Sequence, residues 1–216
     1  MAIASSPSAH GIGRRLARRQ RTVDEALEHA VAIMSEHGVG ALTISEMARR
    51  MGVRGPSLYK YFPSLHAVYD LLFARGMTDS AAAVSVATAS HEPGTARIRA
   101  AVRTIVAWCV ANPALAQLMY WRPIPGFSPS AESFAPSIES MRQARAEFAA
   151  AVERGQLTTA ADSDEAVRLL TVMISGLITQ QMANEPGATY QTGAFTQLTD
   201  EAVDLVLARF TTDRSS

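Results

Sequence analysis

One cysteine, Cys109, is all that 216 residues contain. A single thiol cannot close an internal disulfide or build a multi-cysteine metal site. Charged residues are sparse too, at 19%, yet apolar residues reach 48%, enough to bury a sizeable core. No uninterrupted apolar run approaches the ~18 residues of a membrane-spanning helix. The N-terminal charges are not followed by an apolar stretch, which argues against a secretory signal. No membrane partner and a cytoplasmic location are therefore expected. Period-two alternation is also missing, so no sheet is expected. The five histidines (His10, His29, His37, His66, His91) are scattered without metal-ligand spacing, and no glycine-rich phosphate loop appears. Cys109 sits in an apolar helical stripe, as a buried thiol does. With no catalytic constellation, an enzyme is disfavoured and no metal or cofactor is expected.

Lysine is nearly absent as well: Lys60 is the only one among 20 basic residues. Net charge is zero, which taken alone argues against a nucleic-acid partner. Its distribution argues the other way. Residues 14–62 hold nine basic and five acidic residues, and residues 76–216 hold ten and fourteen. A basic excess at one end is what a chain shows when only that end meets a polyanion.

What is present is helical patterning with punctuation. Residues 1–21 read as a disordered basic arm. It carries Arg14, Arg15, Arg18 and Arg19, which suit either a solvated tail or a phosphate-binding arm. Thr22-Val23-Asp24-Glu25 is a capping box that predicts a helix start at Thr22, with a stop at His37-Gly38. Thr43-Ile44-Ser45-Glu46 is a second box. Ile44, Met47, Ala48 and Met51 then share one face of a two-turn helix. Gly52 permits a tight turn, and Pro56 suits the first turn of a third short helix that buries Leu58 and Phe62. Residues 22–64 thus form a three-helix unit of helix-turn-helix type. Residues 65–216 form a larger helical part, with a helix from Leu65, an Arg122–Pro136 loop, an Asp162-x-x-Glu165 cap and a last helix over Phe195–Phe210. The expected fold is all-α, with about nine helices.

The stretch from Leu42 to Ser64 joins a T-x-x-x-M-A segment to Gly52-Val53 and then Ser57-Leu58-Tyr59-Lys60-Tyr61-Phe62. It closely resembles the N-terminal DNA-binding domain of the TetR family, and the match covers Thr22 to about Phe73. The resemblance implies a homodimeric transcription regulator, in most cases a repressor that a small effector releases from a palindromic operator. An effector-independent helix-turn-helix protein is the alternative. By resemblance, Arg54, Gly55, Ser57, Tyr59 and Lys60 lie nearest the bases, and Thr43 and Tyr61 nearest phosphates. Lys60 suits guanine or a phosphate equally; Tyr59 suits a thymine methyl, a phosphate or packing against the first helix. Arg49 and Arg50 belong on the outer face. Where the family usually has a phosphate-binding lysine, this chain has Leu65, followed by His66.

In the C-terminal part, residues 105–120 resemble one regulatory-domain subgroup of that family. Large adaptable side chains gather there: Trp108, Met119, Tyr120, Trp121, Phe127, Phe134 and Met173. Together with the polar Gln180 they suit a mostly apolar effector pocket, or an ordinary core. Arg122, Gln181 and Asn184 are further polar candidates. The helix through Leu169, Val172, Gly176 and Leu177 is apolar around most of its girth, so it must be buried on more than one side. That predicts pairing with a second copy, joined by the last helix.

Overall fold

The computed structural model describes residues 9–211, with side chains described from Gly13 onward. Eight α-helices and four short 3₁₀ turns make up the described fold, and no strand occurs among these residues. The helices are α1 (Ala9–His37), α2 (Ile44–Arg50), α3 (Leu65–Thr88), α4 (Thr95–Ala111), α5 (Pro113–Tyr120), α6 (Ala131–Glu153), α7 (Asp164–Asn184) and α8 (Thr199–Ala208).

The first helix corrects the sequence reading. It begins at Ala9, not at Thr22, so residues 9–21 of the expected disordered arm are helical, and residues 1–8 lie outside the described residues. Thr22 sits in mid-helix, where its hydroxyl donates to the Arg18 carbonyl at 3.1 Å. Leucine, arginine, alanine and glutamine are strong helix formers, and a Gln20–Asp24 hydrogen bond one turn apart at 2.8 Å supports the run. A capping box inside such a run is overridden by the ladder on both sides of it.

Three other starts follow their caps. Thr43 Oγ1 accepts from the Glu46 amide, Ser64 Oγ from Ala67 and Ser163 Oγ from Ala166. The Ser163 cap lies one residue beyond the expected Asp162. Helix α6 also begins earlier than Pro136: the loop ends at Ser130, and Pro136 lies inside the helix. A proline there loses the bond to the carbonyl four residues back, a cost of about 3 kcal/mol in a helix interior. The Ser130 cap and its ties to α3, described below, hold that turn in place. The last helix is shorter than expected, a 3₁₀ turn at Thr196–Leu198 leading into α8.

Two apolar clusters carry the packing. The first joins Ala26, Ile33, Met47, Leu58 and Phe62 to Val68, Leu72 and Phe73 of α3, Leu115 and Leu118 of α5, and Phe127 of the loop. It therefore runs across the expected boundary at 64/65. The second joins α4, α6, α7 and α8 through Val106, Cys109, Phe148, Ile178 and Val203. Burial pushes the Cys109 thiol up to about 12, so it stays protonated. Trp108 and Tyr120 touch both clusters.

Candidate nucleic-acid interface and effector site

Helix α2 and the segment after it build the first site. Val53 N bonds back to Ala48 O at 2.9 Å, and Gly52 between them takes φ 67, a conformation glycine adopts without a Cβ penalty. The expected third helix is present as a tighter coil. Gly55–Ser57 is a 3₁₀ turn with Pro56 inside it, and Phe62 N closes a single α-type bond to Leu58 O at 2.9 Å. Leu58 and Phe62 are buried in the first cluster, and their burial turns Arg54, Ser57, Tyr59 and Lys60 outward. Thr43 is exposed, Gly55 is half-buried, and Tyr59 keeps 56% of its surface open.

Electrostatic pins hold this unit. Glu46 does not complete its capping box; its carboxylate takes Arg49 at 2.7 Å and Arg50 at 2.9 Å. Arg50 reaches on to Glu36 of α1 with two bonds of 2.8 and 2.6 Å, a fork that fixes α2 against α1. Hydrogen bonds from Arg49 and then Arg50 hold the Glu46 carboxyl down to about 2. A depressed carboxyl supports the fold fully above its unfolded value, and that support drains away as pH falls from there to about 2. Glu46 is therefore ionised, and able to hold both arginines, at neutral and mildly acidic pH.

Arg14, Arg15, Arg18 and Arg19 all stand exposed on α1. Arg19 Nη1 donates to the Lys60 carbonyl at 3.3 Å, and its guanidinium lies 5.2 Å from the Tyr61 ring centroid. Lys60 Nζ lies 4.9 Å from the same ring. The Tyr61 phenol, half-buried, is lowered chiefly by its hydrogen bond with Thr22. The arginine run and the recognition turn thus form one cationic surface around Tyr61, a link that no spacing rule in the sequence exposes.

The expected effector residues divide between two places. Met119, Phe127 and Phe134 join the first cluster, Met173 joins the second, and Trp108 and Tyr120 bridge them. A Cβ at Gly76 would meet Met119 Sδ at 2.6 Å, so that glycine is what lets the methionine seat against α3. Trp121 lies outside, donating Nε1 to Thr179 Oγ1 at 3.1 Å, beside an open groove of about 260 Å³ that Gln117, Pro123 and Met182 complete. Gln180 is exposed and receives Asn184, while Gln181 is buried and caps the 3₁₀ turn at Thr196.

Three features here have no signal in the sequence pattern. Asp70 of α3 accepts from Ser130 N at 2.7 Å, Ser130 Oγ at 2.8 Å and Ser133 Oγ at 2.8 Å, bolting the start of α6 to α3. Arg122 takes φ 45, alone in positive φ among the described non-glycine residues; such strain costs on the order of 1–3 kcal/mol. Ser137 Oγ, on α6, is buried with no hydrogen-bond partner. Because an unpaired buried hydroxyl costs roughly 1–3 kcal/mol, Ser137→Ala is expected to leave the fold intact and raise its stability by about 1 kcal/mol. Chemical denaturation checks this, and a loss of stability would show that the hydroxyl is paired after all.

The family models match this geometry in two places. Residues 26–70 match the model described as bacterial regulatory proteins, tetR family, and residues 98–208 match the tetracyclin repressor-like C-terminal domain, more than half the chain. The chain belongs to the TetR family. This is a family of regulatory proteins and not of enzymes. A similar curated protein is the HTH-type transcriptional regulator Rv1816 of Mycobacterium tuberculosis, 26% identical over 118 residues. That alignment takes in 54% of this chain and 50% of the relative, so the chain spans about half the length of the curated relatives it matches. Among solved structures, a Rhodococcus sp. RHA1 protein of unknown function has a TM-score of 0.73 at 21% identity, covering 88% of this chain and 95% of its own. The regulator FadR of Bacillus subtilis, solved with stearoyl-CoA, has a TM-score of 0.69 at 14% identity, covering 85% and 97%.

The TetR-family C-terminal part also leaves an apolar face uncovered. On α7, α8 and the turn before α8, Val172 and Leu205 are each 69% exposed, and Leu169 and Leu198 are exposed as well. Gly176 has open space above it. Of the described helices α7 alone has the length and mean hydropathy of a membrane span, but its other side is packed on α4, α6 and α8.

Proposed function

We propose that this TetR-family chain is a cytoplasmic, homodimeric repressor that binds a palindromic operator and is released by a small, mostly apolar effector. The exposed row Arg54, Ser57, Tyr59 and Lys60, held outward by buried Leu58 and Phe62, carries the reading. A short helical turn presented this way fits the major groove and can reach base edges. The arginine face of α1 and Thr43 supply phosphate contacts, with Tyr61 as the ring on which Arg19 and Lys60 rest. Dimerisation through α7 and α8 sets two such turns on half-sites about one helical turn apart, ~34–36 Å. Effector binding among Trp108, Tyr120, Phe134 and their neighbours acts through α3, because that helix shares the first cluster with the recognition turn and packs along α4.

Anisotropy titrations with a selected palindromic duplex and a random one test the reading. Lys60→Ala and Tyr59→Ala are expected to weaken operator binding by roughly 1–3 kcal/mol while leaving random DNA nearly unchanged. Equal losses on both duplexes would move these residues to the phosphate class. The effector-independent alternative rests on Trp108 and Tyr120 packing against both clusters, as ordinary core residues do. It requires that no apolar compound shift operator affinity.

A further inference from the structure

Arg122 lies at the outer edge of an aromatic pair. Phe73 of α3 and Phe134 of α6 stack with centroids 6.0 Å apart. The Arg122 guanidinium rests 5.4 Å from Phe134 and 5.9 Å from Phe73. Phe73 is fully buried, whereas Arg122 itself is exposed. Among the described residues Arg122 has no hydrogen-bond or carboxylate partner, and its guanidinium lies over these two rings. It holds φ 45 although Pro123 follows, and a residue before proline is normally driven to extended backbone. A strained backbone thus sets a cation over an apolar interior with its N–H edge uncommitted. The cluster that holds Phe73 also contains the unbranched, adaptable Met119, with Met77 packed against it. Ser137, one turn beyond Phe134 on α6, has its buried hydroxyl unpaired.

From this we infer that Arg122 is the anion receptor of an effector site between α3 and α6, and that its ligand is a carboxylate with an apolar body. The inference rests on the effector-responsive reading above and specifies its ligand class. Arginine stacked on aromatic faces keeps the planar fork that pairs with a carboxylate through two N–H bonds. The apolar body displaces the guanidinium and takes its place against the half-buried Phe134 ring. The carboxylate meets the displaced guanidinium at the mouth. A neutral apolar molecule gains the same walls without that bond.

Decanoate and decanol, equal in chain length and different in charge, are titrated calorimetrically into the full-length protein, with acetate as the charge without the chain. Decanoate is expected to bind about tenfold tighter than decanol, the advantage of a hydrogen bond to a charged group. Acetate is expected not to bind. In Arg122→Ala the two chains should bind alike, at the wild-type decanol affinity, and Arg122→Lys should restore part of the preference. Circular dichroism confirms that the variants are folded. Equal binding of both chains to the wild type, binding of neither up to millimolar concentration, or a preference that survives Arg122→Ala overturns the inference. If both chains release operator DNA equally, the effector-responsive reading stands and the anion site falls. If decanoate binds through Arg122 without shifting operator affinity, the site stands and the regulatory reading falls.

Discussion

Val172→Asp is expected to convert the proposed dimer to monomers and to abolish operator binding. Val172 is 69% exposed on the open face of α7, between Leu169 and Gly176, and Leu205 of the neighbouring α8 is equally exposed. In a two-fold interface the same patch meets itself, so one substitution places two carboxylates in the contact. Each would be buried without a partner, at a cost of several kcal/mol. A combined penalty of about 4 kcal/mol raises the dissociation constant roughly 10³-fold. Sedimentation velocity at micromolar protein reads the monomer directly. The helical signal should not change, because Val172 takes no part in either core cluster. A variant that remains dimeric would place the interface elsewhere. A monomer that still holds a palindromic site with full affinity would separate assembly from recognition.

The second large effect is electrostatic. Replacing Arg14, Arg15 and Arg18 together with alanine is expected to weaken operator and random duplex alike, by roughly 10²–10³-fold at 0.1 M salt. Each phosphate contact contributes about 0.9 to the slope of log affinity against log salt, so the slope should flatten by about 2–3. Arg19 is kept out of that set because it also holds the Lys60 carbonyl and the Tyr61 ring. Arg19→Ala should therefore reduce the preference for operator as well as the affinity. An unchanged slope in the triple variant would mean that this face of α1 points away from the duplex.

The helix starts that the sequence revealed are those whose caps are local: Thr43 and Ser64 each satisfy an amide three residues on. The fold class, the helix-turn-helix and the apolar stripes were legible for the same reason, since periodicity is a short-range signal. Thr22 misled because a cap motif does not exclude the helix from continuing on its N-terminal side. Pro136 misled because its cost is met by contacts from 60 or more residues away, those of Asp70 with Ser130 and Ser133. The same distance hides Arg122: nothing near it in sequence reveals that Phe73 and Phe134 meet beneath it. Of the candidate effector residues, composition could collect the large side chains but could not sort Trp121, on the surface groove, from Met119, in the first cluster.

The first apolar cluster also bears on how portable the N-terminal unit is. Tyr69 is buried on α3, and its hydroxyl donates to the Val39 carbonyl at 2.8 Å, while its ring packs on Phe127 at 5.8 Å. The same side chain therefore closes the α1–α2 connection and seats the loop before α6. Residues 22–64 excised alone would lose the floor on which Met47, Leu58 and Phe62 rest. The recognition turn is thus not a detachable cassette. A chimera that moves its DNA specificity to another scaffold must carry α3 through Phe73, together with a surface equivalent to Leu115, Leu118 and Phe127.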